Sequence, residues 1–225
     1  MIMTRTLKAL GVALVALAAL GGFSAGSAQA VTHDVTASLY PAIVTAEPDP
    51  AGGSRKQFIF GGELVVECKE AGWEATIVGP TSSLTFRPSY KGCTSGAGEA
   101  EIATNGCIYT LTGKTDANGH APVHTICELE KQIEIKFPSV GCTTKLESQT
   151  PKQGVRYTNV KTVHEEITLH WTPSGIKYKK TGLGCSFLPG NGEDGESLVT
   201  WTLKGYIDEE GTEGPQLELT TSETP

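Results

Sequence analysis

Two cysteines, two histidines and an aspartate crowd into one short stretch, "NGCIYTLTGKTDANGHAPVHTIC", from Asn105 to Cys127. Zinc is bound by such groups, four of them at about 2.0–2.3 Å around the ion. The same residues also suit a β-hairpin whose open end is closed by a disulfide. Register separates the two chemistries. If Cys107 faces Cys127, then Tyr109 faces Thr125 and Leu111 faces Val123. The loop then falls on "TDANG", Thr115 to Gly119, which is strong turn chemistry. Strand side chains alternate between faces. Cys107, Tyr109, Leu111, Ala121, Val123, Thr125 and Cys127 therefore share a mostly apolar face. Ile108, Thr110, Thr112, Lys114, His120, His124 and Ile126 share the other, mainly polar one. The two histidines could meet on a helix, but Pro122 lies between them and argues against one. On a strand they stand about 13 Å apart, at a rise of about 3.3 Å per residue, too far to share one ion. The hairpin with a Cys107–Cys127 bond is the reading that turn, register and polarity all support. Its closure contributes about 3 kcal/mol in the chain-entropy model.

Other motifs fall short of chemistry. "TGKT" (Thr112 to Thr115) ends like a phosphate-binding loop, but Ile108 stands where the first glycine is needed and no helical pattern follows. "HEEITLH" (His164 to His170) has Thr168 where a zinc protease needs its second histidine, and it alternates like a strand. Asp116 opens a calcium-like loop that has Cys127 in place of the closing glutamate. Glu193, Asp194 and Glu196 in "NGEDGE" read as solvated loop charges. There is no G-x-S-x-G elbow. A glycosidase would need two converging carboxylates. Glu165, Glu166, Asp208 and Glu209 are candidates that nothing in the sequence brings together. Trp73, Trp171 and Trp201 could form a sugar platform, but with an aromatic content of only 7% they read as core. The sequence thus offers no catalytic residue, no metal ligand set and no cofactor motif.

The elements that must position these residues are strands. Segments such as "FIFGGELVVEC", "EATIV", "SLTFRPSY", "QIEIKF", "GVRYTNV", "EEITLHW" and "SLVTWTLKGYI" are short, often alternating and rich in Val, Ile, Thr, Tyr and Phe. Gly, Pro, Asn and Ser part them, and 27 glycines supply turns. The expected fold is all-β: an antiparallel sandwich or barrel-like domain stabilised by disulfides.

Residues 1–30 read as a secretory signal peptide: Arg5 and Lys8, then "ALGVALVALAAL", then "SAQA" ending at Ala30. Residues 31–55 read as an N-terminal strand and linker, with "EPDPAGGSRK" (Glu47 to Lys56) exposed. Residues 56–220 read as a single β domain, with a possible internal boundary near 147–154, and 221–225 as a frayed tail. "LPGNGEDGES" (Leu188 to Ser197) reads as a flexible acidic loop. "LTFRPSYKGC" and "LHWTPSGIKYKKTGLGC" echo each other in residue order, as a duplication or by chance.

All six cysteines, Cys68, Cys93, Cys107, Cys127, Cys142 and Cys185, follow the signal. In an exported chain an even count implies disulfides. Neighbourhood suggests Cys68–Cys93 and Cys142–Cys185 beside the hairpin bond. The net charge is −7, and it becomes more negative once the basic signal is removed. This argues against nucleic acid as a partner, and no basic amphipathic stretch suggests a membrane once the signal is cleaved.

The motifs "PSYKGC" and "NGCIYTLTG", with "VHTIC", "IEIKFPSVGC" and "ITLHW" around them, resemble a group of secreted, β-rich, cysteine-containing bacterial proteins, chiefly actinobacterial and hypothetical, with no assigned function. The resemblance implies export and a cysteine framework, and brings no assigned activity with it. The expected function is a non-catalytic, secreted binding or structural module, extracellular or envelope-associated. Its partner would be an extracellular protein or a carbohydrate. A secreted polysaccharide hydrolase using paired carboxylates is the alternative, and a protease inhibitor with a rigid exposed loop a third.

Overall fold

The computed structural model describes residues 32–49, 55–116, 118–161, 165–190, 192–209 and 212–224. The segment read as a signal, residues 50–54 of the expected linker and His164 lie outside them. Strands follow one another throughout: β1 (Thr32–Ala37), β2 (Ala42–Pro48), β3 (Arg55–Phe60), β4 (Leu64–Ile77), β5 (Ser83–Ser95), β6 (Gly98–Ala103), β7 (Ile108–Thr112), β8 (Val123–Ile126), β9 (Ile133–Phe137), β10 (Cys142–Leu146), β11 (Val155–Lys161), β12 (Glu165–Trp171), β13 (Ser174–Ile176), β14 (Lys179–Thr181), β15 (Gly195–Glu209), β16 (Thr212–Leu217) and β17 (Leu219–Thr224). Two short 3-10 turns, Pro138–Val140 and Leu183–Phe187, are the only helical pieces among the described residues.

Every strand pair is antiparallel, and one set of pairs closes on itself. β5 pairs with β7, β7 with β8, β11 with β12, β12 with β15, β15 with β2, β2 with β4, and β4 with β5. The remaining gap, from β8 to β11, is spanned at Ala121 and Val155, which exchange both backbone bonds at 2.8 Å. The result is a barrel-like ring, closed between β8 and β11 by this single bridge and not by a strand ladder, as the all-β expectation allowed. Gly154 makes this closure possible, because a Cβ there would overlap the Ala121 carbonyl. Beside the ring lies a second curved group, β3, β6, β9, β10, β13 and β14. It is joined to the ring through β4, β5 and β15.

β4 and β5 are where sequence and structure part. The sequence suggests several short strands there, but each runs on as one, of 14 and 13 residues. Burial explains why this is hard to read. On β4, Leu64, Val66 and Cys68 face inward, then Trp73, Ala75 and Ile77 do, so the inward set changes from even to odd numbers. β5 makes the same change between Pro88 and Cys93. Their register never slips, with Cys68 opposite Cys93 and Trp73 opposite Pro88. The two strands bend together and pass from the ring into the second group, as strands do at the corners of packed sheets. Gly92, at φ 59°, supplies a left-handed residue at the bend. Pro88 is tolerated mid-strand because it lies between the stretch of β5 that pairs with β7 and the stretch that pairs with β6.

The buried residues form one continuous cluster drawing on both sides of 147–154. In the ring, Trp73 stacks on Phe86 at 4.0 Å between centroids, and Trp171 meets Phe86 at 6.3 Å and Tyr109 at 5.4 Å. In the second group Phe60 packs edge-on against Tyr178 and Phe137. All three tryptophans are buried, as the core reading held.

Four local expectations change. The tail expected to fray from 221 runs to Thr224 as part of β17, paired with β1 residue by residue. Asn159 clips that ribbon to the ring by bonding both the N–H and the carbonyl of Thr221. The loop from Leu188 to Ser197 is anchored: Leu188 is buried, Lys180 Nζ donates to the Leu188 and Gly190 carbonyls, and Tyr178 donates to Asp194 at 2.7 Å. The expected linker is shorter than read, since Glu47 and Pro48 belong to β2 and Arg55 and Lys56 to β3. The two echoing segments adopt different backbones. The first is part of one long strand, and the second is broken between β12, β13, β14 and a 3-10 turn.

Candidate binding groove

The cysteines pair as neighbours: Cys68–Cys93, Cys107–Cys127 and Cys142–Cys185. Cys68–Cys93 ties β4 to β5 at directly opposed positions beside their bend. Cys107–Cys127 closes the open end of the β7–β8 hairpin. Cys142–Cys185 fastens the Leu183–Phe187 turn to β10, where Gly184 leaves room for the Val140 carbonyl.

The hairpin takes the register read from its sequence, with Tyr109 opposite Thr125 and Leu111 opposite Val123. Its tip is an Asx turn: the N–H groups of Asn118 and His120 both donate to Asp116 Oδ1, at 2.8 and 2.9 Å. These donors hold the Asp116 carboxyl below its usual range. Neither histidine is placed as a metal ligand. His120 Nε2 accepts from Arg156 Nε at 3.1 Å, which leaves the ring proton on Nδ1, facing Asp116. His124 Nδ1 lies 2.8 Å from Thr150 Oγ1. Among the described residues no cluster of three or more metal-binding side chains occurs.

The other candidates also resolve into local roles. "TGKT" is a strand running into a turn, with the Gly113 N–H bonded to the Ser82 carbonyl. In β12, Ile167, Leu169 and Trp171 are buried, while Glu166, Thr168 and His170 share the wetter face. Glu166 accepts from Gln216 at 3.1 Å. Glu193 pairs with Lys177 at 3.6 Å while Asp194 takes the Tyr178 hydroxyl, so these loop acids do not converge. The side chains of Asp208 and Glu209 lie outside the described residues.

What the sequence reading missed is a groove. β2 pairs with β4 only as far as Ala46 opposite Trp73, then stays with β15 as far as Pro48 opposite Trp201. β4 bends away toward β3 at the same point. The diverging strands open a concavity of about 610 Å³ on the outer surface. Glu47 and Pro48 form one wall, Lys69 to Gly72 the other, and Arg55, Arg87, Ser89 and Lys91 complete the rim. Gly72 lets the strands part closely, with the Ala46 carbonyl 3.1 Å from where its Cβ would stand. Lys91 Nζ binds Glu70 at 3.1 Å, both side chains well exposed. The groove thus carries charges of both signs. Its one aromatic, Trp73, is turned into the core. No signal in the sequence marks these residues, because the groove depends on where two distant strands separate.

Where the ring meets the second group, a much smaller cavity of about 20 Å³ lies among the described residues. Around it Tyr90 and Tyr109 are buried phenols, and burial raises both, Tyr109 to about 12.

Comparison with protein-family models, curated proteins and solved structures finds no match. The function must therefore be argued from the geometry.

Proposed function

We propose that the chain is a non-catalytic module exported through its N-terminal signal, which works in the extracellular space or the cell envelope and engages partners with its outer surface. The carrying observation is the contrast between inside and outside. The ring is filled by Trp73, Phe86, Tyr109 and Trp171, while the 610 Å³ concavity is an open external groove. Small barrels filled in this way keep no chamber for a substrate. Three disulfides using all six cysteines support an oxidising compartment. The resemblance of the motifs "PSYKGC" and "NGCIYTLTG" to those of an exported actinobacterial group supports this reading. Mixed charges in the groove and the burial of Trp73 favour an extracellular protein as partner over a sugar stacked on a ring.

The hydrolase alternative would have to use Glu47, Glu70 or Glu74 in the groove. A general acid is kept protonated by an apolar pocket. Glu70, at 69% side-chain exposure and bound to Lys91, has no such shelter. Expression of the full chain in an exporting bacterial host, with fractionation and intact-mass measurement, tests the location. The expected product lacks residues 1–30, has six oxidised cysteines and is found outside the cytoplasm. An intact, reduced chain retained in the cytoplasm would refute export. A polysaccharide panel tests the activity. Sugar release that disappears in Glu47→Gln or Glu74→Gln would replace this reading with the hydrolase.

A further inference from the structure

The inner cavity lies where the ring meets the second group, and its chemistry follows from a defect in β3. The pairing of β3 with β4 shifts between Lys56 and Phe58, which leaves Gln57 as the extra residue of a bulge. A bulged residue has no ladder partner of its own. Gln57 turns its side chain inward, at 3% exposure, and its Oε1 accepts the Cys68 N–H at 2.9 Å. That bond fixes which way the amide points, because only the oxygen can accept. Nε2 is therefore directed away from Cys68, and it has no hydrogen-bond partner among the described residues. Gln57 borders the cavity together with Tyr90, Tyr109, Thr125 and Ser197. A water molecule needs about 10–15 Å³ and two to four polar partners. The cavity offers about 20 Å³, enough for one water and too little for an organic ligand.

We propose that this cavity is a built site for a single structural water, which accepts from Gln57 Nε2 and bonds to a hydroxyl of Tyr90, Tyr109 or Thr125. The water satisfies the side-chain donor that the bulge turns inward. It also joins β3 to whichever of β5, β7 and β8 supplies that hydroxyl, through a polar contact between the ring and the second group. Burial of a polar group without a partner is rare in folded proteins, and internal waters are the usual remedy when no side chain can reach.

Two measurements on the oxidised wild-type chain test this. A high-resolution crystal structure is expected to show one density peak about 2.7–3.2 Å from Gln57 Nε2 and within the same range of one of the three hydroxyls. Water-selective NMR is expected to show cross-peaks from the Gln57 side-chain amide to bound water, with NOE and ROE of opposite sign, the mark of a water that outlives surface hydration. A cavity without density, an amide turned onto a protein acceptor, or no such cross-peak overturns the proposal. Neither measurement depends on where the protein works, so the outcome is separate from that of the export test.

Discussion

Reduction of the disulfides should bring the chain to the edge of unfolding, and the size of the effect can be worked from the connectivity. The bonds span 25, 20 and 43 residues. In the chain-entropy model, closing such loops contributes about 3.5, 3.3 and 4 kcal/mol respectively. The loops do not overlap, so the unfolded chain regains their freedom independently, about 11 kcal/mol in all. Domains are usually stable by about 5–15 kcal/mol. The assay is urea unfolding followed by tryptophan fluorescence, since Trp73, Trp171 and Trp201 are all buried and should report loss of the core. The oxidised chain should unfold in one transition, and the fully reduced chain should already be partly unfolded before urea is added or unfold at very low urea. The double variant Cys142→Ala with Cys185→Ala isolates the longest loop. It should lose about 4 kcal/mol and, at about 2–4 °C per kcal/mol for a chain of this size, about 8–16 °C in Tm. Losses below about 1 kcal/mol for each pair removed would refute the reasoning. Such a result would mean that the unfolded chain is already compact around these cysteines.

Gly154→Ala should force the Ala121 carbonyl away and break the two bonds that close the ring. A loss of about 2–3 kcal/mol in thermal or urea unfolding is expected from two backbone bonds and local strain. Tyr90, Tyr109, Tyr157 and Tyr178 are all raised, chiefly by burial, so the fold holds their protons more tightly than the unfolded chain does. Stability should be fully present below about pH 10, the free phenol value, and fall as pH rises toward the folded values. Absorbance at alkaline pH should show these phenols ionising only as the chain unfolds. Asp116 is lowered, so its contribution to the hairpin tip should be present above the ordinary carboxylate range and vanish as pH drops through its folded value. Faster amide exchange at Asn118 and His120 in acid would report it. Arg156→Ala removes bonds to His120 Nε2 and the Asn118 carbonyl. At this exposed site it should cost no more than about 1 kcal/mol, while shifting the His120 ring signals in NMR.

How much of this was legible in the sequence varies from element to element. The β7–β8 hairpin could be read in full because its turn residues, its alternation and its cysteines all lie within one local stretch. The bent pair β4 and β5 could not. Their inward faces change parity between 68 and 73 and between 88 and 93, which erases the period that marks a strand. Gln57 in "RKQFIF" looks like an ordinary polar strand position, and only the bulge turns it inward. The groove was invisible for a further reason. Glu47, Arg55, Lys69 and Arg87 lie far apart in sequence, and what collects them is the parting of β2 from β4.

The disulfide connectivity also bears on how the chain can be made. Cysteines one and two, three and four, and five and six are joined, one of fifteen possible pairings. A chain that enters an oxidising compartment N-terminus first presents Cys68 and Cys93 before Cys107 has arrived, and completes that bond with no competing thiol. The same holds for each later pair. Under the export proposed above, and where each bond forms before the next cysteine emerges, order of arrival favours the native set over the other pairings. Refolding the whole reduced chain from denaturant abolishes that order and exposes all six thiols to one another at once.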